Sequence, residues 1–254
     1  MAETLIIADL HLSAAHPQTA QVQALCARAS QAAALYILGD LFDYWVGDDQ
    51  PLTPELEDAL ESLAALPCPK FFIAGNRDFL VGQTLLDKLG AQALPDLFVL
   101  EQGSQRLLLC HGDTLCTDDL AYQAMRQQLR SPAFRCDFLA KPLAERIAVA
   151  EALRARSKTE SSQKPEDIMD VNEQSVQAVM TRHEAHVLIH GHTHRPALHR
   201  LPAGGLRGVT GDWHDAGWLI ACTDQAIRLE RFDTTGAGTV VDQSPWPNAP
   251  QVSA

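Results

Sequence analysis

Polar residues that can bind a divalent metal ion follow five short apolar runs in this sequence of 254 residues. Each run has the composition of a buried strand, and each polar motif begins where its run ends. The motifs, in chain order, are Asp9-Leu10-His11, Gly39-Asp40-Leu41-Phe42-Asp43, Gly75-Asn76-Arg77-Asp78, His111-Gly112-Asp113 and Gly191-His192-Thr193-His194. In α/β folds ligands bind beyond the carboxyl ends of the strands, so these loops can converge on one site.

The residue types of these motifs suit a pair of hard or borderline metal ions. Their carboxylate, imidazole and amide groups include no thiol, which favours Mn, Fe or Zn over a soft metal. Residues two apart in an extended chain point to the same side. Asp9 and His11 can therefore face one ion together, and His192 and His194 can do the same. We predict a site for a pair of divalent metal ions, which can activate a water molecule for hydrolysis.

Each motif alone has an ordinary alternative, because an Asp-x-His or a Gly-Asp at a strand end is usually a polar loop. The prediction depends on the whole set in this order. The other histidines lack a partner motif and are interpreted as surface or packing residues: His16, His183, His186, His199 and His214. His190 lies in the apolar run before Gly191 and is predicted only to orient a ligand. Asp48-Asp49 is interpreted as a solvated loop.

The apolar runs predict strands over 5–8, 35–38, 71–74, 107–110, 186–189, 218–221 and 226–232. Helical spacing of apolar residues predicts helices over 21–29, 54–66 and 172–183. Residues 119–164 break this alternation with continuous helical patterning. They predict a helical cap inserted between residues 1–118 and 165–233 of an α/β domain. The tail, residues 234–254, is rich in Gly, Thr, Pro and Ser and is predicted to be disordered.

Composition narrows the class of protein. The net charge of −12 argues against broad binding to nucleic acid. The charge is unevenly distributed along the chain. Residues 119–164 contain nine Lys or Arg and five Asp or Glu, whereas the rest of the chain contains eleven Lys or Arg and twenty-seven Asp or Glu. The six cysteines form no CxxC pair, so neither a zinc ribbon nor a disulfide framework is indicated. With no secretory signal and no apolar run of about 20 residues, we expect a cytoplasmic protein.

Taken together, the five motifs resemble the calcineurin-like metallophosphoesterases. Longer strings are similar to the UDP-2,3-diacylglucosamine diphosphatases of lipid A synthesis. These strings span 39–49, 111–119, 168–172 and 190–196. The resemblance implies a β-sandwich of two mixed sheets flanked by helices, with a helical cap. It also implies hydrolysis of UDP-2,3-diacylglucosamine to UMP and 2,3-diacylglucosamine 1-phosphate, at the cytoplasmic face of the bacterial inner membrane.

The resemblance further implies two divalent ions, most simply Mn²⁺. One ion would be held by Asp9, His11, Asp40 and His194, and the other by Asp40, Asn76, His111 and His192. Substrate contacts would come from Asn76, Arg77, Asp119, Ser157, Ser161, Lys164 and His192. Ser161 departs from the family, which usually has Asn there. Two divalent ions and the two carboxylates of Asp9 and Asp40 would give the site a net charge of about +2, which attracts phosphate.

Arg77 favours a diphosphate substrate, and many members of the broad family have histidine at this place. Arginine cannot donate its proton near neutral pH, but a leaving phosphate monoester needs none, since its second pKa is near 6. Apolar cap residues can line a groove for acyl chains or pack the cap onto the domain: Tyr122, Met125, Leu129, Phe134, Phe138, Leu139, Leu143 and Ile147. Peripheral contact with membrane lipid is expected from the basic cap.

Two alternatives remain. Another enzyme of the same fold would act on a soluble nucleotide diphosphate or a phosphodiester, and a nuclease in particular is disfavoured by the acidic remainder of the chain. A binding module that has lost its metals should lack several of the ligands, and none is missing here.

Overall fold

The computed structural model describes residues 2–161, 168–202, 204–233, 235 and 237–247, and for 157–161 it describes the backbone alone. The strands are β1 (Thr4–Ile7), β2 (Ala34–Ile37), β3 (Lys70–Phe72), β4 (Ala91–Ala93), β5 (Leu97–Gln102), β6 (Gln105–Cys110), β7 (Val187–His190), β8 (Ala197–Arg200), β9 (Leu206–Val209), β10 (Gly217–Cys222), β11 (Ala226–Phe232) and β12 (Gly238–Pro245). The α-helices are α1 (Thr19–Ala29), α2 (Pro54–Ala64), α3 (Gln83–Leu89), α4 (Leu120–Leu129), α5 (Pro132–Leu139), α6 (Leu143–Ser161) and α7 (Glu173–Arg182). None of these helices is long and apolar enough to cross a lipid bilayer.

The strands build two mixed sheets. The first has the order β12-β11-β10-β1-β2-β3-β4, and the second has the order β5-β6-β7-β9-β8. Strands β1 to β4 are parallel to one another, and so are β6, β7 and β9. Parallel strands end at the same edge of a sheet, so the loops after β1, β2 and β3 open together, as do those after β6 and β7. These five loops carry the five polar motifs.

Strand β1 shows why the central strands are continuous apolar runs. Leu5 and Ile7 belong to the hydrophobic cluster that the first sheet shares with α1 and α2. Ile6 and Ala8 belong to the cluster between the two sheets, which also contains Leu109 of β6. Side chains alternate between the faces of a strand, so a strand buried on both faces needs an apolar residue at every position.

Helices α4, α5 and α6 lie in the segment predicted to form the cap. The buried guanidinium of Arg146 fastens this segment, because it donates to the carbonyl oxygen of Val46 at 2.6 Å and pairs with Asp49. Phe138 is buried in the main core cluster. Other predicted groove residues also pack against that cluster: Phe134, Leu143 and Ile147. Packing of the cap onto the domain therefore uses part of the apolar stripe.

The prediction of a disordered tail was wrong for residues 238–245. They form β12, which pairs with β11 along its whole length, from Gly238 opposite Phe232 to Pro245 opposite Ala226. The connection is closed by Asp233, whose carboxylate accepts hydrogen bonds from the backbone amides of Thr235 and Ala237. Composition suggested disorder, but the β-branched run in this segment favours an edge strand once β11 offers free backbone groups.

Asp48 is also more than part of a solvated loop. Its Oδ1 accepts hydrogen bonds from the amide of Gly82 at 2.9 Å and from the Trp45 indole at 3.1 Å. Its Oδ2 accepts from the amide of Leu85 at 3.2 Å. Asp48 thereby satisfies amide groups at the N-terminus of α3, which have no partner within the helix.

Candidate metal centre and active site

The loops at the strand ends hold most of the predicted ligands in an uncommon backbone conformation. Five of the seven have a positive φ, with values of 59° for Asp9, 50° for His11, 52° for Asp40, 65° for His192 and 54° for His194. Such conformations cost free energy in non-glycine residues and persist only where the surroundings enforce them. Backbone hydrogen bonds between neighbouring loops do so here, from Asp9 to Gly39 and from His11 to Asp40.

Close contact between the loops requires glycine at two positions. A Cβ atom on Gly39 would lie 2.3 Å from the amide nitrogen of Gly75, and one on Gly191 would lie 2.2 Å from Oδ2 of Asp9. Side chains at these positions would separate the loops, and glycine allows them to meet.

Asp9, His11 and His194 form the first group of candidate ligands. The Nε2 atoms of His11 and His194 lie 3.1 Å apart. Oδ1 of Asp9 lies 3.6 Å from Nε2 of His194. Oδ2 of Asp9 accepts the amide of His192 at 2.8 Å. Among the described residues, Oδ1 of Asp9 is buried without a hydrogen-bond partner. A buried unpaired carboxylate oxygen facing two imidazole nitrogens fits a cation at this place.

Asn76, His111 and His192 form the second group. Oδ1 of Asn76 lies 2.8 Å from Nε2 of His111 and 2.7 Å from Nδ1 of His192. Nδ1 of His111 faces the carbonyl oxygen of Leu38 at 2.8 Å, so a neutral ring donates there and turns the lone pair of Nε2 toward the amide oxygen. Two acceptor atoms face each other in that state, and a metal ion is the natural partner for both.

Asp40 lies beside the second group and close to the first. Its Oδ1 is 3.7 Å from Nε2 of His111, and Asp9, Asp40 and His111 all offer ligand atoms within 4.8 Å of one another. Burial opposes protonation of His111, but the carboxylates of Asp40 and Asp9 outweigh it and raise the pKa of the imidazole. The site is therefore a buried negative field that attracts positive charge, and its donor set fits divalent metal ions.

Arg77 borders this centre. Its amide donates to Oδ1 of Asp40 at 2.9 Å, and its Nε lies 3.5 Å from Oδ2 of the same residue. Its Nη1 donates to Asp43 at 2.8 Å, while about a third of the side chain stays exposed, 32%. The guanidinium is thus held next to the candidate ligands with donors still open to a bound anion.

The remaining predicted substrate contacts are placed only in part. Asp119 is the N-cap of α4, where its Oδ1 accepts the amide of Tyr122 at 3.1 Å. Ser157 and Ser161 belong to the last turns of α6, but their side chains lie outside the described part of the chain. Lys164 lies outside the described residues.

Helix α4 contributes contacts that the sequence did not reveal. The Tyr122 hydroxyl donates to Oδ2 of Asp113 at 3.0 Å, and the Tyr122 ring lies 5.7 Å from that of His192. Nε of Arg126 donates to the same Asp113 oxygen at 2.6 Å. Burial opposes ionisation of Asp113, but neighbouring imidazoles and Arg126 together lower the pKa of this carboxyl. Tyr122 is one of the residues predicted to line an acyl groove or to pack the cap onto the domain, and the structure places it beside the candidate metal centre.

Arg130, one turn further along the chain, contacts the loop that carries Asn76. Its Nη2 donates to the carbonyl oxygen of Gly75 at 2.7 Å and to that of Ala74 at 3.3 Å. The spacing of Tyr122, Arg126 and Arg130, four residues apart, places all three on one helix face. This spacing was the available signal, but polar residues at helical spacing are most often a solvated face.

The comparisons with known proteins agree with this geometry. The family model described as calcineurin-like phosphoesterase matches residues 3–196. The chain belongs to the calcineurin-like phosphoesterase family. This membership confirms the predicted fold class and the prediction of a metal-dependent hydrolase.

Curated relatives of this phosphoesterase cover most of its length. It is 46% identical over 236 residues to the UDP-2,3-diacylglucosamine hydrolase of Serratia proteamaculans (strain 568), a match covering 90% of this chain and 98% of that protein. It is 47% identical over 236 residues to the same-named protein of Salmonella arizonae, with the same coverage. It is 44% identical over 243 residues to that of Xanthomonas oryzae pv. oryzae, again with 90% and 98% covered.

Solved structures share the fold at low identity. The phosphoesterase Yfce from E. coli superposes with a TM-score of 0.50 at 16% identity, covering 96% of this chain and 99% of that one. Vacuolar Protein Sorting 29 from Cryptosporidium parvum superposes with a TM-score of 0.52 at 14% sequence identity, covering 96% of this chain and 98% of that one.

His190 contacts the backbone of the Gly-His-x-His turn. Its Nδ1 lies 2.8 Å from the carbonyl oxygen of Gly191, and its Nε2 lies 3.4 Å from a guanidinium nitrogen of Arg207. Burial and Arg207 lower the pKa of His190 to about 4, so the ring is neutral near pH 7. Arg207 also lies 3.5 Å from Asp170, which pairs with Arg195. The segment 168–172 is thereby joined to the turn that carries two candidate ligands.

Proposed function

We propose that this phosphoesterase hydrolyses UDP-2,3-diacylglucosamine to UMP and 2,3-diacylglucosamine 1-phosphate in lipid A biosynthesis. The observation that carries the proposal is the similarity to curated UDP-2,3-diacylglucosamine hydrolases at 44–47% identity over 90% of the chain. Arg77 beside the candidate metal ligands supports it, because this residue suits a phosphate leaving group.

The proposal includes two Mn²⁺ ions. Asp9, His11, Asp40 and His194 would hold one, and Asp40, Asn76, His111 and His192 would hold the other. When bound, such ions lower the pKa of a water molecule and neutralise the charge of the phosphoryl group. The unpaired oxygen of Asp9 and the facing acceptors of Asn76 and His111 support this assignment.

Arg77 would act on the leaving group. A water oxygen forms a bond to the α-phosphorus and the water releases a proton to the solvent, while the bond from that phosphorus to the bridging oxygen breaks. The electron pair stays with the bridging oxygen, which departs as part of the sugar 1-phosphate. That phosphate is stable as an anion near neutral pH, so the site needs a cationic donor rather than a proton donor. The guanidinium of Arg77 is such a donor and is already oriented by Asp43.

The cap would bind the acylated sugar. Among the described residues of the cap, three large apolar side chains are exposed: Leu120 at 76%, Leu139 at 42% and Val149 at 38%. These side chains, with Asp119, Ser157, Ser161 and Lys164, would contact the substrate or the lipid around it. We further propose a cytoplasmic location with peripheral contact to the inner membrane, supported by the basic balance of residues 119–164.

Hydrolysis in ¹⁸O-labelled water tests the reaction. The protein is stripped with a chelator, reloaded with Mn²⁺, and supplied with UDP-2,3-diacylglucosamine, a soluble UDP-sugar or a phosphodiester. We expect turnover to require the metal, to favour the diacylated substrate and to place the label in UMP. Label in the sugar phosphate would refute attack on the α-phosphorus. Faster turnover of the soluble UDP-sugar or the phosphodiester would favour the alternative enzyme class.

A further inference from the structure

Asp43 joins an arginine of the main domain to an arginine of the cap. Its Oδ1 accepts Nη1 of Arg77 at 2.8 Å, and its Oδ2 pairs with Nη1 of Arg154 at 2.6 Å. The Asp43 side chain is buried, with 6% exposed, whereas Arg154 is half exposed, at 51%. One carboxylate offsets one of the two guanidinium charges, so the group keeps about one positive charge.

The two guanidinium groups have donors left for a ligand. Each carries five N–H donors in a planar fork, and Asp43 occupies one nitrogen of each. The planar fork of an arginine matches the spacing of phosphate oxygens and can donate two parallel hydrogen bonds to them. The unoccupied donors of Arg77 and Arg154 therefore suit a phosphate group.

The position of this pair indicates which phosphate it would bind. Nε of Arg77 lies 3.5 Å from Asp40, one of the candidate metal ligands. If the attacked phosphoryl group binds at the metal centre, the adjacent phosphate of a diphosphate lies next to Arg77. Arg154 approaches the same place from α6, on the cap side.

Attachment of the cap to the main domain does not account for the position of Arg154. Arg146 on the same helix performs that task, with its guanidinium buried at 3% exposure against Val46 and Asp49. Arg154 is far more exposed, and its charge is shared with a carboxylate that Arg77 already neutralises. An ion pair with a half-exposed arginine contributes little to stability, so attaching the cap would be a weak reason for this arrangement.

We infer that Arg77 and Arg154, oriented by Asp43, form a clamp for the leaving phosphate of the diphosphate. Arg154 is then a substrate-binding residue supplied by the cap, and Asp43 is a positioning residue. This inference rests on the proposed function, because it assumes a substrate with two adjacent phosphates. It also gives the cap a part in binding the diphosphate as well as the acyl chains.

The test compares two nucleotides that differ by the phosphate in question. Isothermal titration of the Mn²⁺-loaded full-length protein measures dissociation constants for α,β-methylene-UDP, which resists hydrolysis, and for UMP. The wild type should bind the diphosphate more tightly. Arg154→Ala should reduce that preference about 10- to 100-fold, the range for losing hydrogen bonds between charged groups. Arg154→Lys should fall between, and the control Arg135→Ala, on the exposed face of α5, should preserve the preference.

Several outcomes would overturn the inference. It fails if the wild type shows no preference, or if Arg154→Ala weakens both nucleotides equally. Asp43→Asn separates binding from fastening, because it keeps both cations while removing the ion pair. It should bind α,β-methylene-UDP more tightly than Arg154→Ala does. Equal dissociation constants for the two variants would mean that Arg154 only attaches the cap through its ion pair. A wild type that shows the preference but does not cleave UDP-2,3-diacylglucosamine would refute the proposed function and leave the clamp intact.

Discussion

Replacing Arg130 with methionine tests whether α4 stabilises the metal centre as well as the cap. The Arg130 side chain is 14% exposed and donates to the carbonyl oxygens of Ala74 and Gly75, directly before Asn76. It also pairs with Asp96 at 3.2 Å. Methionine keeps most of the aliphatic part of the side chain and removes the guanidinium group. The carbonyl oxygen of Gly75 then loses its charged hydrogen-bond donor, and the loop that carries Asn76 loses this hydrogen bond to the cap.

The structure sets the expected magnitude. A hydrogen bond from a charged group is worth about 1.5–3 kcal/mol, and a pair with a half-exposed carboxylate such as Asp96 adds at most about 1 kcal/mol. We expect the free energy of unfolding of the metal-free protein to fall by about 2–3 kcal/mol. For a chain of this size that corresponds to a melting temperature lower by about 5–10 °C. Removing a group that orients a metal ligand typically weakens metal binding about 10- to 100-fold.

Two measurements on each variant separate the effects. Urea unfolding gives the stability of the metal-free protein, and calorimetric titration gives the Mn²⁺ affinity. The matched control is Asp96→Asn, which removes the exposed ion pairs of Asp96 with Arg126 and Arg130 and leaves the contacts of Arg130 with Ala74 and Gly75. It should cost less than about 1 kcal/mol and keep the wild-type affinity. Normal Mn²⁺ affinity in Arg130→Met would refute the reasoning, since Arg130 would then stabilise α4 alone.

Three further changes test other parts of the molecule. Asp40→Asn should abolish turnover with an unchanged circular dichroism spectrum, and near wild-type turnover after Mn²⁺ reloading would contradict its role as a ligand. Arg77→Ala should lower kcat by about two to three decades, the scale for one transition-state donor, whereas a change in KM alone would make it a binding residue. Burial tends to raise the pKa of the Glu3 carboxyl, but the ion pairs with Arg28 and Arg228 outweigh burial and lower this pKa from its ordinary value of 4.5. The ionised carboxylate therefore stabilises the fold above the ordinary pKa, and this stabilisation is lost as the pH falls through the lowered pKa of the folded protein. Glu3→Gln should therefore lower the urea midpoint at pH 7 and lose this effect in acid; an equal loss at both pH values would exclude the ion pairs as its cause.

The predicted strands were recoverable from the sequence because their physical requirement is local. A strand buried on both faces needs consecutive apolar residues, and the run from Leu5 to Ala8 is buried in that way. The motifs that follow were recoverable for a related reason. Carboxylates and imidazoles directly after buried strands must lie at the sheet edge, and the structure brings Asp9, His11 and His194 together there.

Edge strands were harder to predict. The edge strand β12 depends on the free backbone groups of β11, and its mostly exposed residues show no apolar pattern that would distinguish it from a loop. The short strands β4, β8 and β9 likewise form because a neighbour is present. A strand of three or four residues has too few side chains to display its own periodicity.

The sequence by itself determined the family, the central strands and the composition of the candidate metal centre, because these depend on residues close together in the chain. Only the tertiary structure decided which distant groups meet. Asp43 and Arg154 are separated by 111 positions, and Arg130 and Gly75 by 55, yet each pair is in hydrogen-bonding contact. Charged residues on a helix have the same appearance in sequence whether they face solvent or another loop. Their partners are fixed when the helix packs, because only packing decides which of its faces is withdrawn from water.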